Sequence, residues 1–332
     1  MKHHVQMRRK WEVKQKWNLF LKIACIGLTS WMLVQSSYVH TYITQLKQQQ
    51  TVTVSKNTVP LLEEIKQKAG QYEVAPKDAM IDSVWKTVPG YNGLQVDIKA
   101  SFDNMKKAGV FNEKRLIYKE VPPKKHLSQL EAAPIYRAHP DKPVASFLIN
   151  VAWGNEYIPP MLMVLKKHNV KATFFLEGKW AKNNPELVKM ISEAGHEIGN
   201  HSYSHPDMKT LSAEQTRQQI SETNKIIKAL TGESSSLFAP PSGAFRDETV
   251  NIAHELGLYT IMWSVDTIDW QRPPSSVLIE RVMSKVHKGA FILMHPTKPS
   301  AESLEELIVQ IKKRNLHIKT VSDALLEERI MH

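Results

Sequence analysis

The sequence predicts an α/β protein in which parallel strands alternate with helical crossovers. Three observations point there. From Val144 onward, stretches of strand length alternate with stretches of helical period. Val144–Val151 reads as one apolar run, as a strand buried on both faces does. Helix start and stop signals fall between the runs, as in Asn184-Pro185 and Gly195.

Each element follows in order. Met161–His168 reads as a helix and Lys171–Leu176 as the next strand. Asn184 caps a helix that opens on Pro185 and ends at Gly195. Ser212 and Gln215 make a capping box for a helix that runs to about Leu230 and stops at Gly232. Ile220, Thr223, Ile227 and Leu230 line one side of it. Further strands are expected at Leu237–Ala239, Tyr259–Ser264, Ala290–Met294 and Leu316–Lys319. Helices at Asp247–Leu256, Ser275–His287 and Ser300–Arg314 separate them. Such a chain forms an open sheet or a barrel, and in a barrel the chemistry sits at the C-terminal strand ends. Ala152-Trp153-Gly154, Glu177, His201–His205, the Pro240-Pro241 loop, Asp266–Trp270 and His295 all lie there.

Composition narrows the class. Of 332 residues, 42% are hydrophobic and 23% charged, which excludes disordered, collagen-like and wholly membrane proteins. The single cysteine, Cys25, excludes an intramolecular disulfide framework and a Cys-rich zinc site. A net charge of +11 invites an acidic partner, but its distribution argues otherwise. Residues 144–332 hold 21 Lys+Arg and 21 Asp+Glu; residues 35–143 hold 16 and 11; residues 1–34 hold 7 and 1. The charge is densest where targeting signals reside. Met1–Lys16 is basic, and Leu19–Val34 is apolar apart from Lys22, Thr29 and Ser30. Residues 1–36 therefore read as a signal peptide or a membrane anchor, which sends the rest outside the cytoplasm. A stretch of sixteen residues is short of the about 20 that a span needs, and no Ala-x-Ala site follows, so cleavage and retention both stay open. Residues 35–143 show no basic-aromatic stripe, so nucleic acid is not the expected partner.

Residues 37–143 read as a stalk, polar at Gln45–Gln50, followed by a small basic α/β module. Leu61, Leu62 and Ile65 suggest a short amphipathic helix. Pro89-Gly90 and Asn92-Gly93 mark turns, and Trp85, Val88, Leu94, Val96 and Ile98 offer a small core. Val121-Pro122-Pro123 and His139-Pro140 read as extended connectors into the domain at 144–332.

His201 and His205 place two imidazoles four apart after a short strand. Two His and one carboxylate form a common catalytic metal set. The longer string Gly195–His205, GHEIGNHSYSH, resembles the second motif of the polysaccharide deacetylases, the carbohydrate esterases with a NodB homology domain. The resemblance covers about Val144–Leu325 and includes KATFF, WSVDTIDW and ILMH. It implies a distorted (β/α) barrel of about seven strands and a divalent, Zn-type ion held by an Asp and two His. It also implies hydrolysis of N-acetyl groups on glycan, the ion polarising the carbonyl. A second Asp would be the base, a later His the acid, and an Arg would orient the base.

Carried over, the resemblance makes His201 and His205 metal ligands and His295 the general acid. Asp269 becomes the carboxylate that holds His295, and Trp270 and Pro241 walls of the substrate pocket. Two motifs depart. Where the family reads T-F-D-D-G, this chain reads Asn150-Val-Ala152-Trp153-Gly154, so Ala152 replaces the base and Trp153 the metal Asp. Where it reads R-P-P-x-G, Ala239 replaces the Arg. Losing base and Arg together is coherent, since a buried Arg without its carboxylate costs several kcal/mol. Pro296 follows His295, where an Asp is frequent. Glu177 and Glu156 are the available substitute carboxylates; two histidines alone hold Zn²⁺ weakly.

Two functions follow. One is weak or altered hydrolysis of N-acetyl amides in peptidoglycan or a related cell-wall glycan. The other is a non-catalytic protein that holds glycan or a protein partner in the same groove, with Trp153 stacking on a sugar ring. The whole-chain layout, with INVAWGNEY as its most telling piece, resembles a sporulation-associated member.

Overall fold

Ser36 accepts the Val39 amide and starts helix α1 (Ser37–Ala69). The structure, a computed structural model, describes residues 17, 27–28, 30–32 and 35–330, with 46–59 as backbone alone. The basic stretch Met1–Lys16 and most of the run Leu19–Val34, expected to be signal or anchor, lie outside the described residues. Among the described residues no helix is long and apolar enough to cross a membrane. Two compact units result. One joins α1 and Gly70–Tyr72 to Val96–Tyr118; the other joins Glu73–Gln95 to the chain from Lys119 onward.

The short helix expected at Leu61 is the end of the 33-residue α1. Leu61, Ile65 and Ala69, four apart, fall on one side of it. They bury against Val96, Leu116 and Met105, the last residue of α2 (Ile98–Met105), which Asp97 caps. The core expected from five residues is divided: Val96 and Ile98 enter this unit, while Trp85 belongs to the other.

The second unit begins with an antiparallel hairpin of β1 (Met80–Asp82) and β2 (Lys86–Val88). The short strands β3 (Gly93–Val96) and β4 (Tyr118–Val121) flank the excursion into the first unit. The strand–helix alternation then unfolds as β5 (Val144–Val151), α3 (Ile158–Lys167), β6 (Thr173–Leu176), α4 (Gly178–Asn183), α5 (Pro185–Glu193) and β7 (Glu197–Asn200). It continues through α6 (Ala213–Thr231), β8 (Leu237–Phe238), α7 (Asp247–Glu255), β9 (Tyr259–Thr260) and β10 (Val265–Asp266). It ends with α8 (Ser275–Lys285), β11 (Ala290–Met294), α9 (Lys298–Lys313), β12 (His317–Ile318) and α10 (Val321–Leu325).

Seven parallel strands run in the order β10-β11-β5-β6-β7-β8-β9, with β12 pairing the start of β5. This is the curled, distorted (β/α) barrel that the sequence predicts. β5 is buried at every position, yet its side chains still alternate. Phe147, Ile149 and Val151 pack outward with Phe174, Ile292 and Met294 against the helices. Val144 and Leu148 point inward with Phe175 and Phe291. Each such side chain contributes about 1.5–3 kcal/mol by leaving water.

The sheet is open between its edge strands β9 and β10, and residues 135–138, just before the connector read at His139-Pro140, bridge from the continuation of β9 to the start of β11. Ile135 donates its amide to Thr260 O and accepts from Met262 N, while Ala138 donates to Gly289 O. Ile135 is fully buried inside the barrel, and His139 stacks on Tyr91 at 5.0 Å. Residues 73–95 and 119–143 thus fold in one unit with 144–330.

Candidate functional site

β5 ends at Val151, and Ala152 and Trp153 form a bend beyond its C-terminal end, the first half-buried and the second exposed. Gly154 permits that turn: its φ is +80°, and a Cβ there would overlap the carbonyl oxygen of Pro296. Gly154→Ala is expected to destabilise the unit by at least about 2 kcal/mol, read as a fall in thermal midpoint.

His201 and His205 follow β7 on a strained turn, with Ser202 and His205 at φ 62° and 56°. Helix α6 braces it. Asn200 donates to Ile220 O and to Asn224 Oδ1, both at 2.8 Å, and accepts from Ser202 N at 2.9 Å. Gln219 Oε1 accepts the Tyr203 and Ser204 amides at 3.0 Å. Sequence reading named the histidines and missed these bracing side chains, although Asn200 stands inside the motif string.

His201 Nδ1 lies 2.7 Å from the Ala239 carbonyl, which leaves Nε2 as its free nitrogen. The two rings are 5.1 Å apart and tilted by 70°. Burial first, then the neighbouring His205, lowers the His201 pKa to about 3. Burial also lowers that of His205. Both are therefore neutral at pH 7, the form that ligates metals.

The carboxylate that the resemblance requires is not beside them. Ala152 and Trp153 offer none. Glu177 is consumed locally: its Oε2 accepts the Trp180 amide at 2.8 Å and caps α4, while burial raises its pKa. Glu156 is exposed on the turn after Gly154. Among the described residues no three His, Cys, Asp or Glu side chains are grouped to hold a metal ion. The donor set does not fit a tetrahedral Zn²⁺ site.

The second pair is intact. Asp269 is fully buried in the turn after β10. It accepts from His295 N at 2.6 Å, His295 Nδ1 at 2.8 Å, Thr297 Oγ1 at 3.1 Å and Ser300 Oγ. Burial pushes its pKa up, but the bonds from His295 and Ser300 outweigh this and hold it below the usual carboxylate range. Sequence reading missed Thr297 and Ser300, which lie three and six residues past the strand end.

Trp153 stacks on His295, centroids 5.2 Å apart and planes within 16°. It is still 45% exposed, and Trp270 is 57% exposed. Both line a cleft of about 660 Å³ with Glu156, Arg272, Thr297 and Lys298. His201 and His205 are not among its walls, and Pro241 is buried away from it.

A pH dependence follows from the buried histidines. Burial lowers His196 to about 4, and its Nδ1 accepts the Ala172 amide. Histidines in the unfolded chain take up protons near pH 6.5, which the folded His196 and His201 refuse. Stability is therefore expected to fall as the pH drops from about 6.5 to 4, by roughly 1.4 kcal/mol per pH unit per histidine. Thermal unfolding across that range checks it.

The polysaccharide deacetylase family pattern matches residues 137–261. The peptidoglycan-N-acetylmuramic acid deacetylase PdaA of Bacillus subtilis is 34% identical over 183 residues, 54% of this chain and 70% of its own. A CE4 family pseudoenzyme from Bacillus anthracis superposes with a TM-score of 0.78 at 54% identity, covering 81% of this chain and 96% of that one. A mutant of that pseudoenzyme with restored enzymatic activity matches equally well, at TM-score 0.78 and 52% identity over 81% of this chain and 99% of its own. With the barrel, the paired histidines and the Asp269–His295 couple in place, the chain belongs to the polysaccharide deacetylase family.

Proposed function

We propose that this protein binds N-acetylated cell-wall glycan, of the peptidoglycan type, in the Trp153–Trp270 cleft without hydrolysing it. One observation carries the reading. An indole stacks on His295 at the position where the family resemblance puts a metal-binding carboxylate. The same substitution removes a ligand and adds a flat apolar face, which suits the C–H face of a sugar ring. The match to a peptidoglycan-N-acetylmuramic acid deacetylase supports an envelope glycan as the ligand class. The basic and apolar N-terminus supports an extracytoplasmic setting, signal-led or anchored, and the sequence layout supports a role in sporulation.

The intact Asp269–His295 couple favours a second reading, slow N-acetyl hydrolysis by an altered mechanism. Calorimetric titration with chitooligosaccharide and solubilised peptidoglycan, beside an acetate assay, separates the two. Binding is expected, with Trp153→Ala and Trp270→Ala each weakening it about tenfold, or ~1.4 kcal/mol. Acetate release that disappears in His201→Ala would overturn the first reading.

A further inference from the structure

The β1–β2 hairpin exposes apolar side chains on both of its faces and at its tip. Met80, Ile81 and Val84 are exposed, Val84 at the tip by 72%. Such a cluster in water marks a contact surface. The tip is fixed in this projecting form. Asp82 Oδ1 accepts the amides of Val84 at 2.8 Å and Trp85 at 2.7 Å. Beneath it, the Trp85 ring is held by the Arg137 guanidinium at 5.1 Å and by His287 at 6.2 Å.

Exposed lysines lie behind the tip, from Lys86 beside it to the root of the hairpin. Lys86 pairs with Asp82 in the ladder, and Lys77 precedes β1. The Lys124 and Lys125 amides bind Asp78 Oδ1 at 2.6 and 3.2 Å, and Ala79 donates to Lys125 O, which sets both lysines beside β1. Lys288 adjoins His287. Asp78 and Asp82 among them are each turned to backbone amides, and the exposed Asp141 lies on the Arg137 side. A projecting apolar tip with lysines behind it has the chemistry of a membrane-interface anchor. The hairpin lies beside His287–Gly289, which leads into the N-terminal end of β11. The cleft lies at the opposite, C-terminal strand ends.

We propose that this hairpin seats Val84, Ile81 and Met80 in the headgroup layer of an anionic phospholipid membrane, which turns the cleft away from that membrane. The proposal stands whether the cleft binds or hydrolyses glycan. The test uses the full chain with its one cysteine removed (Cys25→Ser) and an environment-sensitive fluorophore on Val84→Cys. On phosphatidylglycerol vesicles the label is expected to shift to the blue and lose quenching by aqueous iodide several-fold. A label on Met163→Cys, 66% exposed on α3, is expected to stay wet. Any membrane contact made by the N-terminal segment is the same in both labelled chains, so the contrast between sites isolates the hairpin. Lys124→Glu with Lys125→Glu is expected to return the Val84 label to water. Equal wetness at both sites overturns the proposal. So does a dry Val84 label without vesicles, which means self-association, or equal drying on phosphatidylcholine, which means the lysines read no charge.

Discussion

Ala152→Asp combined with Trp153→Asp is expected to give a metal-dependent N-deacetylase. The barrel already presents two neutral imidazoles on a braced turn, and Asp269 already holds His295 by its Nδ1. What is missing is a third metal ligand and a base, and residues 152 and 153 follow directly on the C-terminal end of β5. Trp153→Asp also removes the ring that covers His295. General-base help alone is worth about 10²–10⁴-fold in rate, so acetate release is expected to rise at least ~10²-fold over the parent chain. Activity is expected to vanish with a chelator. Ala152→Asp alone is expected to gain little, because the histidine pair still lacks its carboxylate. Ala239→Arg alone is expected to destabilise, since residue 239 is buried and a guanidinium there has no carboxylate to meet. Acetate release from the double variant no higher than from the parent would count against the assignment of these positions.

Asp269→Ala is expected to cost about 3–5 kcal/mol. Four donors converge on this carboxylate, from His295, Thr297 and Ser300, and truncation strands them in a dry site. In a unit of this size the thermal midpoint is expected to fall by roughly 10 °C. The sign with pH is fixed by the lowered pKa: the carboxylate's contribution is present above the ordinary Asp range and is lost as pH falls through its lower folded value. The acid weakening from His196 and His201 therefore begins first. Asp269→Asn keeps the shape and part of the acceptor set, so a smaller loss is expected. Calorimetry on both variants checks the order. A midpoint within a degree of the parent for Asp269→Ala would show that the network does not hold the site.

The strands and helices from 144 onward were legible because their signals are local. Ser212 and Gln215 form the capping box read from sequence, and Gly232 ends α6 in the left-handed conformation. Val144–Val151 and Ala290–Met294 match residue for residue. Tyr259–Ser264 shortens to Tyr259–Thr260 because the backbone beyond pairs with Ile135 instead, a partner 126 residues away that no local pattern announces. For the same reason 135–138 shows no strand in the sequence, and Trp85 reads as part of the core of a small separate module. In the site, motif spacing singled out the two histidines, and the family resemblance singled out His295 and Asp269. The fate of Glu177 was not legible: a carboxylate at a strand end is equally apt as ligand or as helix cap, and only the Trp180 amide decides between them.

The segment that fills the gap in the barrel also sets an order of folding. Ile135 waits for Thr260, Arg137 for Ala290 and His126 for Glu327, partners 125 to 201 residues later. Loop closures of that length are entropically slow. The early chain therefore stays open until its last helix exists, and the barrel seals only when synthesis is nearly complete.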